Sequence, residues 1–329
     1  MSGLPAAPPI DPLPKRLGCD LSRSAGDGLE VVSRATRCTR DATVGRPCDH
    51  RQMTSRRFSQ VDAFTTTPYA GNPVAVVLDA EELDAETMQR FARWTNLSET
   101  TFLLPAQDPS ADYRLQIFTP ATELPFAGHP TLGSCHAWLQ SGGIPGDPGT
   151  VAQECGAGLV QVRRTDAGLA FAAPPLLRSG PVDAELVAHV ADVLRIDQTA
   201  IVDTQWVDNG PGWLGVLLHS AEAVLALQPG VVDLDIGVVG LHPAGSPDAL
   251  EVRAFFPIDG KTVEDPVTGS LNASLAGWLT STGRATTPYT ARQGTVLGRL
   301  GRVQVAQDDG GTIWTGGGTV TCIHGHVEL

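Results

Sequence analysis

Two stretches of this chain, FTPATELPFAGHPTLGS at residues 118–134 and FFPIDGKTVEDPVTGS at 255–270, follow one plan: a strand ending in Phe-x-Pro, a loop, then a helix start. Aligning HPTLGS with DPVTGS matches proline, glycine and serine, and sets His129 opposite Asp265. A recurring strand-loop-helix unit predicts an internal duplication, because one such unit cannot bury its own apolar faces. Two similar halves would then face each other. Each would turn a helix N-terminus, with its unpaired N–H groups, toward a shared cleft suited to a carboxylate ligand.

Other patterns along the chain fit this plan. Alternation predicts a strand at FSQVDAF from Phe58, a turn through Thr67–Pro73 and a second strand, VAVVL. The spacing of Leu83, Met88, Phe91, Ala92 and Trp94 predicts an amphipathic helix over 81–95. Strands are expected at TTFLLP, YRLQIFTP and LEVRAFFP and near 200–206 and 213–219, with helices over 131–139, 183–194 and 270–279. The closing segment GTIWTGGGTVTCIHGHVEL reads as glycine-broken strands that return to the first half. The expected division is a first half over 57–172 joined by 319–329, a second half over 173–318, and a poorly ordered extension over 1–56, with Met53 as an alternative start.

Charge narrows the partners. Residues 1–57 hold ten of the 23 basic side chains against six acids, leaving the body of the chain strongly acidic. An acidic body argues against nucleic acid or an anionic membrane as partner. No run of about eighteen apolar residues could span a bilayer, and no apolar signal region opens the chain. A cytoplasmic protein acting on a small molecule is expected.

The six cysteines, Cys19, Cys38, Cys48, Cys135, Cys155 and Cys322, form no C-x-x-C pair and are expected to be free thiols. With only Lys15 and Lys261 present, a pyridoxal-phosphate enzyme would have to use Lys261. His324 and His326 would share one strand face but lack a third ligand, so no metal site is expected. No GxSxG elbow, phosphate-binding loop or dinucleotide fingerprint occurs. The tryptophans Trp138, Trp206, Trp213 and Trp278 read as core or interface residues.

Taken from the residues alone, Glu99 in Ser98-Glu99-Thr100 reads first as a solvated carboxylate at a strand edge. His129 reads as a helix-capping or buried histidine, and Asp265 as a cap ahead of Pro266. The motifs GNPVAVVL (71–78), NLSETTFLLP (96–105), FTPATELPFAGHPTLG (118–133) and EDPVTGSLNASLAGWL (264–279), taken in order, resemble the successive signatures of the PhzF family of phenazine-biosynthesis isomerases. Together they span nearly all of 57–329.

The resemblance implies an α+β, diaminopimelate-epimerase-like fold of two pseudo-symmetric halves, each a sheet wrapped around a central helix. It also implies a cofactor-free, metal-free isomerase acting on a small carboxylic acid, and a homodimer. Glu99 would be the acid/base that removes and returns a proton, which asks for a carboxyl desolvated enough to act in both senses. His129 and Asp265 would complete the catalytic set. Ser98, Gly128, Gly269, Ser270 and Asn72 would border the substrate, the glycines permitting close approach of backbone N–H groups. The best-known family activity, isomerisation of trans-2,3-dihydro-3-hydroxyanthranilate, is the expected reaction type. An amino-acid epimerase and a non-catalytic metabolite-binding protein stay open as alternatives. A racemase with one cysteine per half is disfavoured, because neither helix-entry loop contains a cysteine.

Overall fold

The computed structural model describes residues 53–329; residues 1–52 of the expected extension over 1–56 lie outside the described residues, and its last two, Ser55 and Arg56, are strand residues paired with Glu328 and Val327. The elements run as follows in chain order: β1 (Ser55–Ala63), β2 (Asn72–Val77), α1 (Ala85–Thr95), β3 (Glu99–Leu104), β4 (Tyr113–Phe118), β5 (Glu123–Leu124), α2 (Gly128–Gln140), β6 (Thr150–Cys155), β7 (Gly158–Thr165) and β8 (Gly168–Ala172). Then come β9 (Arg178–Pro181), α3 (Ala184–Leu194), β10 (Ile201–Asp208), β11 (Leu214–Leu218), α4 (Ala221–Leu225), β12 (Ile236–Leu241), β13 (Leu250–Ile258) and β14 (Lys261–Asp265). The chain closes with α5 (Gly269–Ser281), β15 (Tyr289–Gln293), β16 (Gly301–Gln307), β17 (Ile313–Gly317) and β18 (Thr319–Glu328).

The duplication is written in the strand pairing. β1 pairs antiparallel with β2, β2 parallel with β3, β3 antiparallel with β4, and β4 parallel with β6, which leads into the antiparallel β6–β7–β8. The same sequence of senses recurs from β10 through β11, β12, β13 and β15 to β16 and β17. Each parallel step carries a helix crossover, α1 between β2 and β3, α2 between β4 and β6, α4 between β11 and β12 and α5 between β13 and β15, as parallel neighbours require. Crossing strands tie the two sets together: β18 pairs with β1, β9 with β10, and β17 with β8. β1 begins at Ser55, three residues ahead of the apolar alternation, because the end of β18 continues the ladder to Ser55↔Glu328.

The helices divide by their setting. α1 is amphipathic and buries only Met88, Phe91 and Ala92; Asp84 caps it by accepting from the Thr87 N–H. α2 and α5 are apolar or small-residue helices on nearly every face, and most of their residues are buried, as central helices must be. α2 packs on β1, β2 and β3, and α5 on β10, β16 and β17. Neither has a side-chain N-cap, whereas α1, α3 and α4 are capped by Asp84, Asp183 and Ser220.

The structure corrects the register of the repeat. α2 and α5 each have 13 residues and begin at Gly128 and Gly269, whose backbones touch: a Cβ added to Gly128 would lie 2.9 Å from the Gly269 Cα. His129 therefore corresponds to Ser270, each the second residue of its helix, and not to Asp265. Asp265 ends β14, four residues ahead of its helix, where the first half has Leu124 at the end of β5. The reason is hairpin length. β14 pairs with β13 over five residues and β5 with β4 over two, so the second loop is longer and its Pro, Gly and Ser anchors slide out of phase.

Candidate active site

Glu99 opens β3, beside Val74 of β2, with its side chain 14% exposed. His129, on the first turn of α2, is buried and brings Nε2 to 3.1 Å from Glu99 Oε2. This is an ion-pair contact whose angle is not that of a hydrogen bond, and neither atom has another partner. Asp265 completes the cluster from the second half. Its Oδ1 accepts from Asn72 Nδ2 at 2.9 Å and its Oδ2 from the Thr268 hydroxyl at 2.5 Å.

Asn72 is the hinge of this cluster. It is fully buried, and its Nδ2 also donates to the Val267 carbonyl at 2.8 Å and lies 3.3 Å from His129 Nδ1. The two acceptors fix the amide, since rotating it would set its oxygen against a carboxylate and a carbonyl. Both Nδ2 hydrogens are spent on these acceptors, so the 3.3 Å approach of His129 Nδ1 is a contact and assigns no tautomer. Asn72 lies between His129 and Asp265.

The charges interact across the seam. Burial alone would lower His129, but the carboxylates of Glu99, Asp265 and Asp62 outweigh it and hold the imidazole above its ordinary value. Burial raises Asp265; the Glu99 charge adds to this, and His129, Thr268 and Asn72 pull the other way. The site thus brings an acid, an imidazole and a second acid together at the seam.

Gly128 and Gly269 meet at the seam, where their lack of side chains lets the two uncapped helix starts abut. Ser270 is buried beside them; its Oγ accepts from Trp213 Nε1 at 3.2 Å and its carbonyl from Asn209 Nδ2 at 3.0 Å. Ser98 lies outside the cluster, exposed on the turn before β3. Thr268, Trp213 and Asn209 were missed as site residues. Thr268 stood inside a quoted motif but carried no chemical signal, and nothing in the sequence ties Asn209 or Trp213 to a helix sixty residues on.

Cys135, Cys155 and Cys322 are free; burial pushes the Cys135 thiol up to about 12, where it is inert. His324 and His326 are exposed on β18, and no group of three potential metal ligands occurs among the described residues. No helix among them is long and apolar enough to cross a membrane.

Two pseudo-symmetric halves, each a sheet around a buried helix, define an α+β protein of the diaminopimelate-epimerase-like class. The chain belongs to the PhzC-PhzF family of phenazine biosynthesis-like proteins, whose model matches residues 61–325, and it is an isomerase of that family. It is 35% identical over 294 residues to antisense-enhancing sequence 1 of Schizosaccharomyces pombe, covering 83% of this chain and 99% of that one. The trans-2,3-dihydro-3-hydroxyanthranilate isomerase of Pseudomonas aeruginosa is 35% identical over 269 residues, covering 78% and 91%. Among solved structures, a PhzF-family phenazine biosynthesis protein of Bacillus anthracis superposes with a TM-score of 0.72 at 22% identity, covering 84% of this chain and all of that one.

Proposed function

We propose that the protein moves a proton within a small cyclic amino or hydroxy carboxylic acid, using Glu99 as its single acid/base. The observation that carries this is the meeting of Glu99 and His129 at 3.1 Å beside Asp265, where the two uncapped helix starts converge. The ligand carboxylate would lie on the N–H groups at Gly128 and Gly269 and on the Ser270 hydroxyl, whose oxygen Trp213 already occupies as donor, leaving the hydroxyl hydrogen to point outward. Asp265 would hold the ligand amine, and His129 would keep Glu99 ready to change protonation state.

Glu99, as carboxylate, takes a proton from one ring carbon, and the electron pair shifts along the ring. The carboxylic acid so formed returns the proton to another ring carbon, giving an enol that relaxes to the ketone. Glu99 ends as it began, so no co-reactant is consumed. The isomerase of Pseudomonas aeruginosa acts on trans-2,3-dihydro-3-hydroxyanthranilate by its name, and this compound heads the substrate panel. Turnover of a panel of cyclic enamine and amino acids should be seen with the wild-type protein and be lost in Glu99→Gln, which should still bind ligand. Substantial turnover by folded Glu99→Gln removes Glu99 from this role. Ligand binding without turnover across the panel favours a metabolite-binding protein instead.

A further inference from the structure

Gln293, the last residue of β15, is fully buried and makes four hydrogen bonds. Its Oε1 accepts from the Thr268 backbone N–H at 3.0 Å and from Asn272 Nδ2 at 2.8 Å. Its Nε2 donates to Thr268 Oγ1 at 2.9 Å and to the Asp265 carbonyl at 3.2 Å. The amide orientation is thereby settled, because reversing it would face nitrogen to two donors and oxygen to a carbonyl.

The consequence falls on Thr268. Its hydroxyl oxygen receives the Gln293 hydrogen while its own single hydrogen is given to Asp265 Oδ2 at 2.5 Å. With Asn72 donating to Oδ1, both oxygens of Asp265 are then addressed by donors. We propose that Gln293 is a positioning residue: it commits the Thr268 hydroxyl to donating, and so holds Asp265 as a bare carboxylate at the seam, ready for a cationic ligand group. The role of that carboxylate rests on the isomerase reading above.

The first half supplies a comparison. Gln153 of β6 is also fully buried and also reaches the fourth residue of its helix, donating from Nε2 to Thr131 Oγ1 at 3.2 Å, as Gln293 reaches Asn272. Its Oε1, however, accepts from the Tyr113 hydroxyl at 2.8 Å, and none of its bonds leads to an acid. The strand-to-helix glutamine is thus a packing device in both halves, and in the second half alone it extends to a charged group.

Asp265 is faced by two ionisable groups, His129 and Glu99. The adjacent Glu264 is taken up by Arg253 at 2.7 Å, and that guanidinium is turned to the Val224 and Leu227 carbonyls. The test follows the carbon-13 signal of the Asp265 carboxyl through a pH titration, which reads the proposal whether or not the protein turns over any substrate. Losing a donor to the charged form makes the carboxyl easier to protonate, so its midpoint should rise by about one pH unit, a tenfold change in acidity, in Thr268→Val. Thr268→Ser should match the wild type. Gln293→Met should raise the midpoint in the wild-type background and have no further effect in Thr268→Val, while Gln153→Met should leave it where it was.

With an active substrate, the acid limb of kcat/KM should move up in step with the carboxyl midpoint. An unchanged midpoint in folded Thr268→Val or Gln293→Met, or an equal Gln293→Met shift in both backgrounds, overturns the proposal. Should Gln293→Met fail to fold by thermal melt, the wild type decides. Its Thr268 hydroxyl proton should exchange slowly and show a cross-relaxation contact to the Gln293 amide hydrogens. A fast-exchanging hydroxyl proton without that contact overturns the proposal. Absence of turnover with the carboxyl behaving as described sinks the isomerase reading and leaves the positioning role standing.

Discussion

The two halves repeat a backbone and divide a chemistry. β3 opens with Glu99, whereas β12 opens with Ile236 and reads IGVVGL, without one ionisable side chain. The second residue of the central helix is His129 in one half and Ser270 in the other; the residue four before the helix is Leu124 in one and Asp265 in the other. At each matched place one half holds a titrating group and the other an apolar or neutral one. The repeated backbone has here been filled asymmetrically, with Glu99 and His129 from one half and Asp265 from the other meeting at the seam.

The sharpest way to break this comparison is to remove the acid on each side. Glu99→Gln should lower turnover by about 10²–10⁴-fold with the fold intact. Asp235, one residue ahead of β12, is the acid nearest the matching place; its neighbour is Asp208, and burial with that charge raises it to about 6. Asp235→Asn should leave turnover unchanged, and a loss matching that of Glu99→Gln would restore a two-base mechanism.

A smaller effect sharpens the comparison at the seam. Gly128→Ala would press a Cβ against the Gly269 Cα and the Phe171 ring, each at 2.9 Å, and Gly269→Ala would do the same to Gly128 and Phe64. Each should cost about 1–3 kcal/mol in denaturant unfolding. A neutral result would mean that the halves do not abut there.

Titration of the His129 imidazole by NMR should give a midpoint above about 6.5 in the wild type and a lower one in Glu99→Gln, since Glu99 is the first of the charges opposing its burial. The sign for stability follows. The charged His129 stabilises the fold fully below its unfolded value, and the contribution fades as pH rises through the higher folded value. Equal midpoints in the two proteins would separate His129 from Glu99.

The smallest expected effect belongs to Asp235: because burial, with the Asp208 charge, raises its folded value, its cost to stability builds as pH climbs from the ordinary carboxylate range to about 6 and is constant above that. Asp235→Asn should raise Tm at pH 8 by ~2–3 °C and change it less at pH 5, the gain being limited because the carboxyl is partly exposed. An equal shift at both values would detach the effect from its charge.

Much of this was legible in the sequence because patterns of apolar residues and Gly-Pro punctuation report local structure directly. The strands near Glu99 and before Asp265, and both central helices, fall within a few residues of where periodicity places them. What misled was the register of the repeat. Small residues at two helix starts matched in the wrong phase because the β13–β14 hairpin is longer than β4–β5, and length differences in loops leave no trace in composition.

The supporting residues were illegible for another reason. Asn72 looks like a turn residue and Gln293 like a strand end, and only the fold brings them to Asp265 across 193 and 28 positions. Trp213 looked like core and is buried, yet its indole N–H is spent on Ser270. Polar groups whose partners lie far away in sequence cannot announce their role locally.

The central claim, one glutamate carrying one proton between two places on the same molecule, is tested most directly by isotope transfer. A cyclic acid substrate deuterated at the carbon that loses its proton should be turned over in ordinary water and the product read by NMR and mass spectrometry. Deuterium recovered at the receiving ring carbon in a substantial fraction of the first turnovers, and abolished with turnover in Glu99→Gln, is the predicted result. Complete replacement by solvent hydrogen, together with inversion at a stereocentre, would contradict it.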